Sequence, residues 1–202
     1  MIRTIFTFAA LLYAMPANAH GAIAGGGGFY AGAAHPFVAW EHLLLLLAVG
    51  LLLGRRPKRD ARLPLLVLVA SLLSGLAVVA AGFGLSVFPG FIFGLGLLSG
   101  LLLASGLAPP RLAMTLLTLG TGVAIGLDTD VPVLTATSNL DHYTTYVGVF
   151  VAVFLIVLDM MALSLVVKRP PFTIGLRIVG SWIAAVSLMV LALQFRSITG
   201  AV

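Results

Sequence analysis

Residues 35–53 read HPFVAWEHLLLLLAVGLLL, and residues 54–62 read GRRPKRDAR. The first stretch is long enough to cross a hydrocarbon layer, which takes about 20 apolar residues in a helix. The second is a short basic loop of the kind that stays on the cytoplasmic side of a membrane. The alternation continues along the chain. Further apolar segments at 63–82, 91–107, 112–127, 143–167 and 172–195 are separated by turns or polar stretches. These are Phe88-Pro89-Gly90, Pro109-Pro110-Arg111, the polar residues 128–142, and Lys168-Arg169-Pro170-Pro171. The expected fold is an all-α polytopic integral membrane bundle. It has about six transmembrane helices, at about 20 residues per span, in a single domain over 35–202.

Composition supports the same reading. Only 8% of the residues are charged and 61% are hydrophobic, whereas a soluble domain carries roughly 25% charged residues. Such a chain cannot cover a water-facing surface, so the expected partner is a lipid bilayer. The spans use up its 202 residues, leaving no room for a soluble domain. The net charge of +5 would raise nucleic acid in a soluble protein. Here the basic residues sit in short loops, so no nucleic-acid partner is expected. The absence of cysteine excludes disulfides, thiolate metal sites and thiol catalysis.

The chain opens with Met1-Ile2-Arg3, an apolar stretch at 4–14, and Met15-Pro16-Ala17-Asn18-Ala19. Ala17 and Ala19 frame a small-residue cleavage signature, so residues 1–19 read as a cleavable signal peptide with His20 as the mature N-terminus. The alternative is an uncleaved, tilted anchor helix. Residues 20–34 are glycine-rich and read as an irregular exported segment. Arg55, Arg56, Lys58, Arg59, Arg62, Arg111, Lys168, Arg169 and Arg177 fall on one side of the alternating spans, and Arg196 on the other. This bias places those loops in the cytoplasm and both mature termini outside. Asp128, Asp130, Asp141 and His142 cluster in the external polar stretch. They form either a vestibule that concentrates cations or a solvated loop. Gly96 and Gly100, and likewise Gly122 and Gly126, have the spacing that lets helix backbones approach closely, with Gly94 and Gly120 extending each series. The alternative is room for a substrate path.

Charged side chains inside a bilayer are costly, and function is their default explanation. Glu41 and Asp159 qualify. On one continuous helix His35 and His42 share a face about 10 Å apart, with Glu41 a quarter turn from His42. Pro36 suits the first turn of such a helix. Imidazole with carboxylate suits divalent transition metals. At that separation the histidines read as successive stations for a cation, with Glu41 and His42 as the main one and His35 at its mouth. Asp159 is a second, deeper candidate, and His20 offers an amine and an imidazole at the mature terminus. A proton relay and simple pinning of helices are the competing uses of these residues.

The segment His35-Pro36-Phe37-Val38-Ala39-Trp40-Glu41-His42-Leu43-Leu44, continued by Leu47-Ala48-Val49-Gly50-Leu51, resembles the signature of the HupE/UreJ family. That signature has His-Pro, a short spacer, Asp-His-Leu-Leu and an Ala-Val-Gly-Leu-like continuation. The likeness is strongest over 19–53, and Glu41 stands where the family has Asp. A second motif of the family, near His-Gly-x-Ala-His-Gly-x-Glu, is matched by Thr121-Gly122-Val123-Ala124-Ile125-Gly126-Leu127-Asp128. The glycines, the alanine and a terminal acid remain, while Thr121 and Ile125 replace both histidines. The resemblance implies about six spans and handling of a divalent transition-metal cation, nickel, cobalt or similar, beside hydrogenase and urease systems. The ion is then a transported ligand, with no permanently bound cofactor. Homo-oligomers and metalloenzyme maturation partners are compatible with it. The expected function is an inner-membrane permease, the first alternative a non-transporting accessory or assembly subunit. An intramembrane enzyme is the third, against which stand the missing HExxH pair and the lack of a Ser or Cys nucleophile beside a histidine.

Overall fold

The computed structural model describes residues 28–83, 89–129, 139–166 and 170–199. The signal-peptide reading of 1–19 and the ligand reading of His20 lie outside the described residues, as does Asp130. The described residues form helices and no strand. In chain order these are α1 (Gly28–Val38), α2 (Trp40–Gly54), α3 (Lys58–Ala80), α4 (Pro89–Ser105), α5 (Arg111–Leu127), α6 (Asn139–Val166) and α7 (Pro170–Thr199). Among the described residues three helices are long and apolar enough to cross a membrane alone: Lys58–Ala80, Leu140–Val166 and Pro171–Arg196. The pair α1 and α2 passes the same test as one broken span, and α4 and α5 are shorter apolar helices of about 25 Å. The chain is therefore an all-helical membrane bundle.

The first span is not the straight helix expected. Its two halves bend by 77° at Ala39, whose φ of −77° and ψ of 80° lie outside the helical region. Pro36 lies inside α1 rather than at a helix start. It brings no N–H to the carbonyl of Gly32, which weakens the helix just before the break. Ala39 N–H donates to His35 O at 2.9 Å, ending α1. The carbonyl of Ala39 then accepts from His42 N–H and Leu43 N–H, starting α2. The helix also begins earlier than expected, at Gly28, so residues 28–34 are not irregular. Glycine explains this. A Cβ on Gly32 would strike the backbone of Thr145, and one on Gly148 would strike the backbone of Phe29 and Ala33. With no side chains between them, α1 lies directly on the first half of α6.

α2 is the central helix. Leu45, Leu46, Val49, Leu52 and Leu53 are wholly or almost wholly buried, and a helix that is apolar all round belongs inside. α2 packs mainly on α6 and α4, α3 on α5, and α4 on α7. The glycine series serve these last two seams rather than joining α4 to α5. A Cβ on Gly126 would lie 2.9 Å from Gly75 Cα, and one on Gly100 would lie 2.9 Å from Gly180 O. Gly94 and Gly120 do not extend the seams. Gly94 faces open space and Gly120 meets only side-chain tips of Leu95 and Phe91. The outer surface carries exposed Leu66, Leu101, Leu112, Leu116, Trp182 and Leu193. Water would not tolerate so broad an apolar surface, and lipid does.

The basic loop is shorter than its sequence suggests. Pro57, with φ of −55° and ψ of 140°, caps the N-terminus of α3, and Lys58 to Arg62 are wound into that helix. The turn left over is Arg55-Arg56-Pro57, and its guanidiniums act inside the fold. Arg55 donates to the carbonyls of Leu103 at 3.3 Å and Gly106 at 2.7 Å. Arg56 donates to Pro109 O, and Arg177 to Ala104 O at 2.8 Å. The last carbonyls of α4 lack partners within their helix, and cations suit that negative end.

Candidate metal site

The break in the first span builds the site. On a straight helix His35 and His42 would stand two turns apart. The bend at Ala39 instead folds α1 back over the start of α2, and the two rings lie 5.4 Å apart, centre to centre, inclined at 60°. Two imidazoles sharing one ion at metal–nitrogen distances near 2.0–2.1 Å would have ring centres roughly 5–6 Å apart. The two histidines are thus neighbours in one place, not successive stations.

His42 is fully buried. Its Nε2 lies 3.0 Å from Oδ2 of Asp128. A carboxylate accepts, so Nε2–H donates and a neutral His42 keeps its lone pair on Nδ1. That Nδ1 is buried without a hydrogen-bond partner, and so is Nε2 of His35. A ligating histidine characteristically gives its other N–H to a carboxylate, which sets the tautomer and the ring orientation. Asp128 stands as that orienting group. It caps the C-terminal end of α5, its own N–H bonded to Ala124 O at 3.0 Å. A negative charge at the negative end of a helix is unfavourable alone, so its place favours a cation or a donor nearby.

The remaining candidates separate from this pair. Glu41 is half-buried in the first turn of α2, where the positive helix end suits a carboxylate. No hydrogen bond joins it to either imidazole among the described residues. Asp159 is exposed on α6 between exposed Leu155 and Leu163, so it faces outward from the bundle and away from the histidines. Asp141 and His142 begin α6, where His142 Nε2 lies 3.1 Å from the Tyr146 hydroxyl. Among the described residues no three His, Cys, Asp or Glu side chains are grouped closely enough to hold an ion by themselves. Thr121 and Ile125 are fully buried, and the Thr121 hydroxyl donates to Leu117 O at 2.8 Å. Both are therefore absorbed in helix packing. Sequence reasoning found every member of the His35–His42–Asp128 group but not its pairing. The signal was there in part: the glycines and terminal acid of 121–128 set Asp128 at a helix end.

These features define a polytopic helical membrane protein with a buried histidine bonded to a half-buried carboxylate at a broken span. The chain belongs to the HupE / UreJ protein family, whose model matches residues 8–190. It is accordingly a metal-related membrane protein, from a family of hydrogenase and urease accessory proteins and nickel or cobalt transporters. Comparison with curated proteins found no match, and comparison with solved structures found none either.

Proposed function

We propose that this protein is an inner-membrane permease for a divalent transition-metal cation, nickel, cobalt or a similar ion. The observation that carries the reading is the bonding of His42 to Asp128 with His35 beside it, two buried ring nitrogens being left without partners. The cation is cargo. His42 offers Nδ1 while Asp128 holds its ring, His35 offers the second nitrogen, and water or Glu41 completes the shell. Discontinuous helices are where transporters place their ion sites, because irregular backbone is tolerated in a membrane only around a cavity or inside protein. Family membership supports a metal-related role, and nothing in the reading requires covalent chemistry.

Metal-resolved uptake in cells expressing the wild type, Glu41→Gln and His42→Ala tests it. Uptake of nickel or cobalt by the wild type, lost in His42→Ala, is the expected result. A wild type that binds the ion without moving it would favour the accessory or assembly reading. Two observations lean that way: Thr121 and Ile125 where the family has histidines, and the lack of a three-ligand cluster among the described residues. The reading further places the Arg55–Arg56 turn in the cytoplasm and residues 128–142 outside, with 1–19 removed as a signal peptide. A cysteine introduced at Lys58 should resist an impermeant reagent in intact spheroplasts, and the mature mass should begin at His20.

A further inference from the structure

A cleft of about 550 Å³ opens where the α2–α3 turn meets the end of α6 and the start of α7. Arg55, Arg56 and Lys58 line it on one side, and Ser164, Leu165 and Leu176 on the other. Arg56 and Ser164 are more than nine-tenths buried. Arg56 uses Nη1 on Pro109 O, yet its Nε has no partner, and neither has the Ser164 hydroxyl. The hydroxyl is unusual here. Ser71, Ser99, Thr118 and Thr121 are also buried, and each donates to a carbonyl of its own helix. Leaving a buried polar group unsatisfied is costly, so these two groups, on facing sides of the cleft, call for a partner.

The chemistry of that partner follows from the donors. A guanidinium N–H can only donate, as can the Lys58 ammonium, and a serine hydroxyl can donate. The N-terminus of α3 adds to them. Asp60 and Ala61 N–H bond back to Pro57 O, and the helix presents its remaining free N–H groups and positive end at the same edge. The guanidinium, the ammonium and the helix N-terminus call for an anionic acceptor, with Asp60 in the first turn of α3 offsetting part of that charge. The leucines call for an apolar portion on the same ligand. The cleft lies at the ends of four helices, and α6 continues from it along exposed Leu163 and Val166, which is the surface that lipid chains cover. Basic pockets between membrane helices at this level suit anionic headgroups.

We propose that this cleft binds the phosphate of an anionic phospholipid headgroup, with the glycerol and upper chain against Leu165 and Leu176. The site is separate from the histidine cluster and does not depend on the metal reading. The test is native mass spectrometry of the purified full-length protein with phosphatidylglycerol, phosphatidylcholine or inorganic phosphate added. Phosphatidylglycerol should be retained in preference to phosphatidylcholine. Lys58→Gln should weaken its retention about fivefold, the effect of one basic residue at a membrane surface. Lys58→Arg should restore it, and Ser164→Val should weaken it with no change of charge. Equal retention of the two lipids, or no response to Lys58→Gln and Ser164→Val, would overturn the proposal. Displacement of phosphatidylglycerol by inorganic phosphate at similar concentration would make this a free-anion site and end the lipid assignment.

Discussion

The two ends of α2 are chemical opposites. At its N-terminal end, Glu41 and His42 sit in the first turn and Asp128 bonds His42. At its C-terminal end, Arg55 and Arg56 bond the carbonyls of Leu103, Gly106 and Pro109. The helix macrodipole accounts for the carboxylate at the start and the guanidiniums at the finish. It does not account for the atoms left over. At the first end these are His42 Nδ1 and His35 Nε2, and at the second Arg56 Nε and the Ser164 hydroxyl. At the first end these are imidazole nitrogens, the atoms that can offer a lone pair to a cation. The second end holds free donors for an anion. In an apolar bundle a buried polar group without a partner is expensive, and these leftover atoms are the basis for proposing a cation at one end and an anion at the other.

Removing a ligand at the first end should have the largest effect. His42→Ala is expected to lower affinity for nickel or cobalt by more than about 100-fold, beyond what loss of an outer-shell partner costs, measured by calorimetry on purified protein. An affinity within a few-fold of wild type would remove the cation end from the comparison. Asp128→Ala should cost about 10–100-fold, the effect of losing the group that orients a ligating histidine. Asp128→Asn keeps an acceptor for Nε2–H and should recover part of that loss. Equal damage from both variants would mean that Asp128 meets the ion itself. Arg56→Ala probes the opposite end. It should lower stability by about 1.5–3 kcal/mol, the worth of a hydrogen bond to a charged group, while leaving metal affinity unchanged. Reversible unfolding in mixed micelles would show it, and a coupled fall in metal affinity would join the two ends into one site.

Much of this contrast was legible in residue types. The acid and histidines of 35–42 and the basic run of 55–62 stand at the two ends of one apolar stretch. Their geometry was less legible. A proline beside a helical turn reads equally well as a start or as a weak point, and the pattern around Pro36 suits a start. It is the packing of Gly28, Gly32 and Gly148 that makes residues 28–34 a helix and moves Pro36 to the end of it. The separation of His35 and His42 changes with that single choice. Asp159 shows the converse limit. Its charge within an apolar segment suggested an interior station, but only the rotation of α6 against α2 decides which residues face in.

Periodicity, charge bias and composition determine by themselves an all-helical membrane bundle with a polar patch at the start of its first span. Those signals are local, because a span is set by the run of apolar residues and a loop by its charges. Tertiary structure alone decided the pairing of His42 with Asp128 across 86 residues of chain, the use of Arg55 and Arg177 on the end of α4 and of Arg56 on the turn before α5, and the cleft beside Ser164. Each depends on which helix lies against which. That choice is set in large part by the glycine seams between α1 and α6, α3 and α5, and α4 and α7, where a glycine on one helix lets the backbone of the other come into contact.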